Sequence, residues 1–243
     1  MAVIYGINPV LEAIRARGRG VEYVALARDR HDARLQRVID AARAAGVSVR
    51  FLPREQVERL AGSAQHQGVA AATSAKGYVD VEDLLTELRG PHRFLVVLDG
   101  VEDPHNLGAI LRTADAAGAD GVVIPERRAA GVNATVAKVS AGASEHLPVA
   151  RVTNISRTLE QLKRANVWTV GLDERGTQFY DAVDHNMDCA LVLGAEGHGL
   201  HEHVRDKCDY LVKIPMLGGV ASLNVSVAAA ICMYEVVRQR RKE

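Results

Sequence analysis

The sequence predicts an open α/β fold with a mostly parallel sheet for most of this 243-residue chain. Three observations carry that expectation. Short apolar runs alternate with helical periodicities along the whole length, the pattern of successive βα units. The run FLVVLDGV (94–101) is apolar at nearly every position, as a strand must be when both faces of its sheet are covered. The polar stretch ending in Gly90-Pro91 breaks the rhythm and separates a small first unit from a longer second one.

The first 75 residues read as a compact α/β unit. INPVLEAIRARG (7–18) places Ile7, Val10, Leu11 and Ile14 on one helical face, and VEYVALA (21–27) alternates like a strand. RLQRVIDAARAAG (34–46) is an amphipathic helix stopped by Gly46, followed by a strand at 47–52, a helix at 54–62 and a strand at 68–74. Residues 76–92 form the expected linker, and 93–243 the second domain. Its strands are expected at 94–101, 120–125, 167–173, 189–194 and 210–215, with a further apolar run at 147–152. Helices are expected at 107–119, near 133–143, at 155–165 and at about 222–240.

Composition narrows the function classes. Hydrophobic residues make up 48% of the chain, enough for a packed core. Aromatics are only 4%, so an aromatic platform for stacking bases is not the obvious binding mode. The zero net charge hides an asymmetry: residues 1–76 carry 12 Lys+Arg against 7 Asp+Glu, a net of +5, and 77–243 carry 18 against 23, a net of −5. Eleven of the twelve N-terminal cations are arginine, whose planar fork matches phosphate oxygens. That permits a nucleic-acid partner without requiring one. Cys189, Cys208 and Cys232 follow no paired spacing, which suits buried thiols in a reducing cytoplasm. MAVIYGINPV lacks a basic segment followed by a long apolar run, so no secretory leader is expected, and no stretch is apolar enough to span a membrane.

Three segments place unusual residues at carboxyl ends of strands, where open α/β sheets bind ligands. In DPHNLGAILRTADAAG (103–118), Asp103-Pro104 forces a turn and Asn106 is placed to cap a helix starting at Leu107. Arg112 follows Gly108 by four residues, one turn along the same face; a plain cap and a surface arginine would explain this string alone. In LVLGAEGHGL (191–200), a buried strand runs into glycines that let backbone groups approach a ligand. Glu196 there either orients a substrate, balances a cationic group or caps a helix near Gly199. In IPMLGGVASLNVSVA (214–228), Pro215 ends a strand, and Ser222 or Asn224 opens an apolar helix. His198, His201, His203 and Cys208 form a rival metal constellation, but no CxxC or HExxH spacing supports it, and no metal is expected. No Walker loop, GxSxG elbow or GxGxxG fingerprint is present.

In this order the three segments resemble the signature motifs of the SpoU/TrmH class of RNA ribose methyltransferases, within the SPOUT superfamily. IYGINPVLEAI (4–14) and HQGVAAATS (66–74) resemble the start and end of that class's small RNA-substrate-binding domain. The layout is most similar to the bacterial branch that methylates a guanosine ribose 2′-hydroxyl in 23S ribosomal RNA. The resemblance implies a trefoil-knotted catalytic domain, a topology that base rates alone would reject, and an N-terminal α/β domain like ribosomal protein L30e. It implies S-adenosylmethionine held by the backbone of Gly194, Ile214 and Leu223, flanked by Leu193, Glu196, Pro215 and Met216. It implies a cytoplasmic homodimer acting on RNA, with Asn106, Arg112, Glu196, Ser222 and Asn224 at active-site positions. Arginine stays protonated in proteins, so Arg112 suits a phosphate clamp or alkoxide stabiliser better than a base. Asn224 and Ser222 suit orienting hydrogen bonds, and Glu196 an organiser of its loop or of Arg112. A transfer-RNA ribose methyltransferase and a non-catalytic RNA-binding module remain the alternatives.

Overall fold

The computed structural model describes residues 2–29, 33–74, 77–86, 88 and 90–241. In chain order the elements begin β1 Ala2–Tyr5, α1 Ile7–Arg17, β2 Val21–Ala27, α2 Ala33–Ala44, β3 Ser48–Leu52, α3 Arg54–Ala61 and β4 Val69–Thr73. There follow α4 Val81–Leu84, β5 Phe94–Asp99, α5 Pro104–Ala116, β6 Gly121–Pro125, α6 Ala134–Val139, α7 Ala143–His146 and β7 Val149–Val152. The last are α8 Ile155–Arg164, β8 Trp168–Leu172, β9 Gln178–Phe179, β10 Cys189–Gly194, α9 Glu202–Arg205, β11 Tyr210–Lys213 and α10 Val225–Arg240. They group into two compact units, Met1–Gly77 with Val132–His146, and Tyr78–Gly131 with Leu147–Glu243. Of the sequence-based boundaries, Met1, Ala75, Lys76 and Glu243 lie outside the described residues.

The first unit is a four-stranded sheet in the order β1-β4-β2-β3, with only β2 and β3 parallel. Ile7, Val10, Leu11 and Ile14 of α1 are buried together with Leu35 and Val38 of α2, over Val24, Leu26 and Val69. Each is the residue that helical or strand spacing turns inward. On the opposite face Val57 and Ala61 of α3 pack on Ala25, Ala27 and Ala70. The four-residue strand β1 is too short to leave an alternation in the sequence. The helix read near 133–143 is instead two short helices, α6 and α7, broken where Ala141 and Gly142 take positive φ. They group with this unit rather than with the second. His146 Nε2 meets Glu12 Oε2 at 2.8 Å, and Lys138 Nζ donates to Gln65 Oε1 at 2.6 Å.

The second unit carries a seven-stranded sheet, β7-β6-β5-β10-β8-β11-β9, parallel at every pairing. Its central strands β5 and β10 are buried at all six positions each, because helices cover both faces. Parts of the expected linker belong to this unit: Val81 and Leu84 of α4 are buried in its core, and a Cβ on Gly121 would meet Leu84 Cδ2 at 2.5 Å. The end of α10 is tied to the strand starts by Arg240. Its guanidinium donates to the carbonyls of His185, His92, Arg93 and Met187 at 2.6–3.0 Å. No helix is long and apolar enough to cross a membrane among the described residues.

Candidate active site at the strand ends of the second unit

The site lies at the carboxyl ends of β8, β10 and β11, where the strand-end rule places ligands. β10 delivers Gly194, and the chain then closes a small loop in which Ala195 and Gly199 exchange backbone hydrogen bonds of 3.1 Å each. This loop folds back on the strand so tightly that a Cβ on Gly194 would fall within the backbone of Gly199 and Leu200. Glycine is required there by space rather than by backbone angle. The base of the loop is held by Asp99, at the end of β5. Its Oδ2 accepts from the His201 amide at 2.9 Å and lies 3.0 Å from His201 Nδ1.

α5 begins at the end of β5. Its N-cap is Asp103, whose side chain accepts from the His105 amide at 2.9 Å, with Pro104 at the first helical position. The cap read at Asn106 is thereby corrected: Asp and Pro together start the helix three residues earlier. Asn106 is left free to act across the site. Its Nδ2 donates to Glu196 Oε1 at 2.6 Å, and its Oδ1 accepts from Asn224 Nδ2 at 3.0 Å. Asn224 Nδ2 reaches the same Glu196 oxygen at 2.8 Å. Asn224 is also the N-cap of α10, its Oδ1 accepting from the Ser226 amide at 2.9 Å and from Ser226 Oγ at 2.6 Å. The helix therefore starts at Val225 and not at 222. Three of the five expected site residues, one from each motif, form a closed hydrogen-bonded triad.

The other two stand apart from that triad. Ser222 is exposed in the loop before α10, and Arg112 is exposed on α5. Six residues at 3.6 per turn put Arg112 about 120° around the helix from Asn106. Glu196 Oε1 accepts from both asparagines, and among the described residues no hydrogen bond joins Glu196 to Arg112. Among the described residues Arg112 forms no ion pair.

A cavity of about 540 Å³ opens beside Glu196. Leu193, Gly194, Glu196, Ile214, Met216, Ser222 and Leu223 all line it, whereas Pro215 only separates two of the lining residues. Its walls also include Leu172 at the end of β8 and Asp173, Glu174 and Arg175 after it, none of which the three motifs contain. The available signal is the charged run Asp173-Glu174-Arg175, which begins at the last residue of the strand expected at 167–173. His198 stands at the cavity and His201 bonds Asp99, while burial pushes the Cys208 thiol up to about 12. Among the described residues no cluster of three His, Cys, Asp or Glu could hold a metal ion.

Known proteins match both units. Residues 93–234 match the SpoU rRNA Methylase family, and residues 3–79 match RNA 2′-O ribose methyltransferase substrate binding. The chain is 43% identical over 240 residues to the 23S rRNA (guanosine-2′-O-)-methyltransferase RlmB of Bordetella pertussis, covering 98% of each. It is 45% identical over 239 residues to the TrmH-family protein YacO of Bacillus subtilis, covering 98% of this chain and 95% of that one. Among solved structures, the SpoU methyltransferase AviRb from Streptomyces viridochromogenes, in complex with AdoMet, superposes with a TM-score of 0.81 at 25% identity, covering 98% of this chain and 90% of that one. A crystal structure of an RNA 2′-O ribose methyltransferase gives 0.78 at 27%, covering 98% and 88%. With both units matched and the three motifs converging at one set of strand ends, this chain belongs to the SpoU rRNA methylase family.

Proposed function

We propose that this protein transfers a methyl group from S-adenosylmethionine to a ribose 2′-hydroxyl of RNA, and that its target is a guanosine of 23S ribosomal RNA. The observation that carries this reading is the Asn106–Glu196–Asn224 triad at the edge of the strand-end cavity. The cofactor fits the residues present. The cavity is within the range of about 300–1,000 Å³ common for small-molecule sites. Leu172, Leu193, Ile214 and Leu223 offer apolar walls for a base, and Glu196 offers a carboxylate to a cationic ligand. The backbone of Gly194, Ile214 and Leu223 would hold the cofactor.

S-adenosylmethionine supplies an electrophilic methyl on a positively charged sulfur. The protein's part is alignment, because in-line displacement by a weak nucleophile gains most from a fixed geometry. The triad holds three motifs in one arrangement before substrate arrives. Arg112, turned to solvent and in no ion pair among the described residues, suits a backbone phosphate and the charge that develops as the 2′-hydroxyl loses its proton. Its position 120° from Asn106 supports a homodimer in which Arg112 serves the partner's site. The unpartnered apolar stripe on α10, with Val227 and Tyr234 about half exposed, supports the same assembly. The trefoil knot implied by the family, an RNA-selecting first unit and a cytoplasmic location complete this reading.

Incorporation of labelled methyl into ribosomal RNA and into transfer RNA, assayed separately, tests it. Label in 23S RNA alone is expected. Label in transfer RNA alone would move the substrate, and none in either would favour a binding module.

A further inference from the structure

The cavity contains a buried carboxylate that none of the three motifs includes. Leu172, the last residue of β8, pairs with Leu193 of β10 and with Val212 of β11, so Asp173 stands one step on, level with Gly194. Its backbone is firmly placed: the amide donates to the Val212 carbonyl at 3.0 Å, and its carbonyl accepts from Gly176 at 2.9 Å. A Cβ on Gly176 would meet the Val212 carbonyl carbon at 2.5 Å, so the turn is wedged against β11. Asp173 Oδ1 accepts from the Arg175 amide at 3.0 Å.

The other oxygen is unused. Asp173 is only 6% exposed, yet among the described residues no donor reaches Oδ2. That oxygen lies beside Gly199, where a Cβ would stand 3.2 Å from it, on the wall of the cavity. Asp99 makes the contrast. It flanks Gly194 from β5, is equally buried, and spends its Oδ2 on two hydrogen bonds from His201. Oδ2 opens on the cavity rather than being sealed in the core, and with no protein donor in reach it is available to a donor that arrives with the ligand.

We propose that Asp173 holds the ribose hydroxyls of the cofactor's adenosine; the inference rests on the S-adenosylmethionine reading above. A carboxylate only accepts, and an acidic residue at the carboxyl end of a parallel strand beside a glycine loop is the arrangement by which open sheets take ribose hydroxyls. The placement agrees. β8 lies across β10 from β5, so Asp173 and Asn106, which follow those two strands, lie on opposite sides of β10. A methyl held at the triad leaves the nucleoside to extend toward Asp173 and the apolar walls of Leu172 and Leu193.

Calorimetric titration of the full chain with S-adenosylmethionine and with 5′-methylthioadenosine, which keeps the ribose but lacks the amino-acid tail, tests this. Asp173→Asn preserves the acceptor for the Arg175 amide, and its unfolding midpoint without ligand should match the unsubstituted protein. Affinity for both ligands should fall roughly ten- to hundredfold. Unchanged affinity would overturn the inference while leaving the proposed function standing. Loss for S-adenosylmethionine alone would also overturn it, by assigning the carboxylate to the ammonium. If the unsubstituted protein bound neither ligand, the proposed function would fall as well.

Discussion

Asn106 and Glu196 are ninety residues apart in sequence and joined by a 2.6 Å hydrogen bond, with Asn224 bonded to both. One carboxylate oxygen thus serves two amides that enter from the starts of two different helices. Glu196→Ala would leave both amides without their shared acceptor. Transfer should fall about a hundredfold, the scale seen when a preorganised polar group is lost. Single-turnover kinetics, with circular dichroism to check the fold, measures this.

Arg112→Ala is expected to separate binding from chemistry. The side chain is exposed and does not line the cavity, so cofactor affinity should stay within about twofold of the original. Methyl transfer should collapse. Mixing Arg112→Ala with Glu196→Ala subunits should recover part of the activity if Arg112 serves the partner's site, and none if each chain completes its own.

Gly194→Ala tests the close backbone passage. The new methyl has nowhere to go but into Gly199 and Leu200, so destabilisation of about 3 kcal/mol or more is expected. Gly197→Ala is the comparison: no atom lies within 4 Å of its Cβ, and only its φ of +80° opposes the change. About 1 kcal/mol is expected there. Denaturant titration separates the two.

The cysteines predict a pH response. Burial raises Cys189 to about 11, and Cys208 and Cys232 to about 12, from 9.0. Above pH 9 the unfolded chain releases these protons first, so it binds fewer than the native state and stability falls as pH rises toward 11–12. Below pH 9 the contribution is fully present. Native protein at pH 8 should react with a thiol reagent only after denaturant is added.

Arg240 should matter for stability without touching the site. Arg240→Met would orphan the carbonyls of His92, Arg93, His185 and Met187, at a cost of about 2–4 kcal/mol. Lysine should not restore it, since a point charge cannot serve that many diverging acceptors. Thermal unfolding reads both variants.

Much of this arrangement was legible in the sequence. The uniformly apolar runs at 94–101 and 189–194 are the two central, fully buried parallel strands. The motif residues Leu193, Gly194, Ile214, Met216 and Leu223 line one cavity. What escaped has physical reasons. Asn106 reads as a cap because Asn caps helices well, but Asp103-Pro104 caps better and frees it. α6 and α7 read as one helix because the pattern of apolar residues continues through Ala141-Gly142, where only the backbone turns. Asp173 carries no motif; the role proposed for it rests on strand pairing that sets it level with Gly194 and on an oxygen left open to the cavity. The grouping of 132–146 with the first unit depends on partners such as Glu12, more than a hundred residues away.

The proposed reaction marks one atom of RNA, the ribose 2′-oxygen. RNA labelled by this protein with radioactive methyl, then hydrolysed in alkali, tests it most directly. Methylation at that oxygen blocks cleavage of the adjacent phosphodiester, so the account predicts that the label appears in an alkali-resistant dinucleotide. Label released in mononucleotides would place the methyl on a base and contradict it.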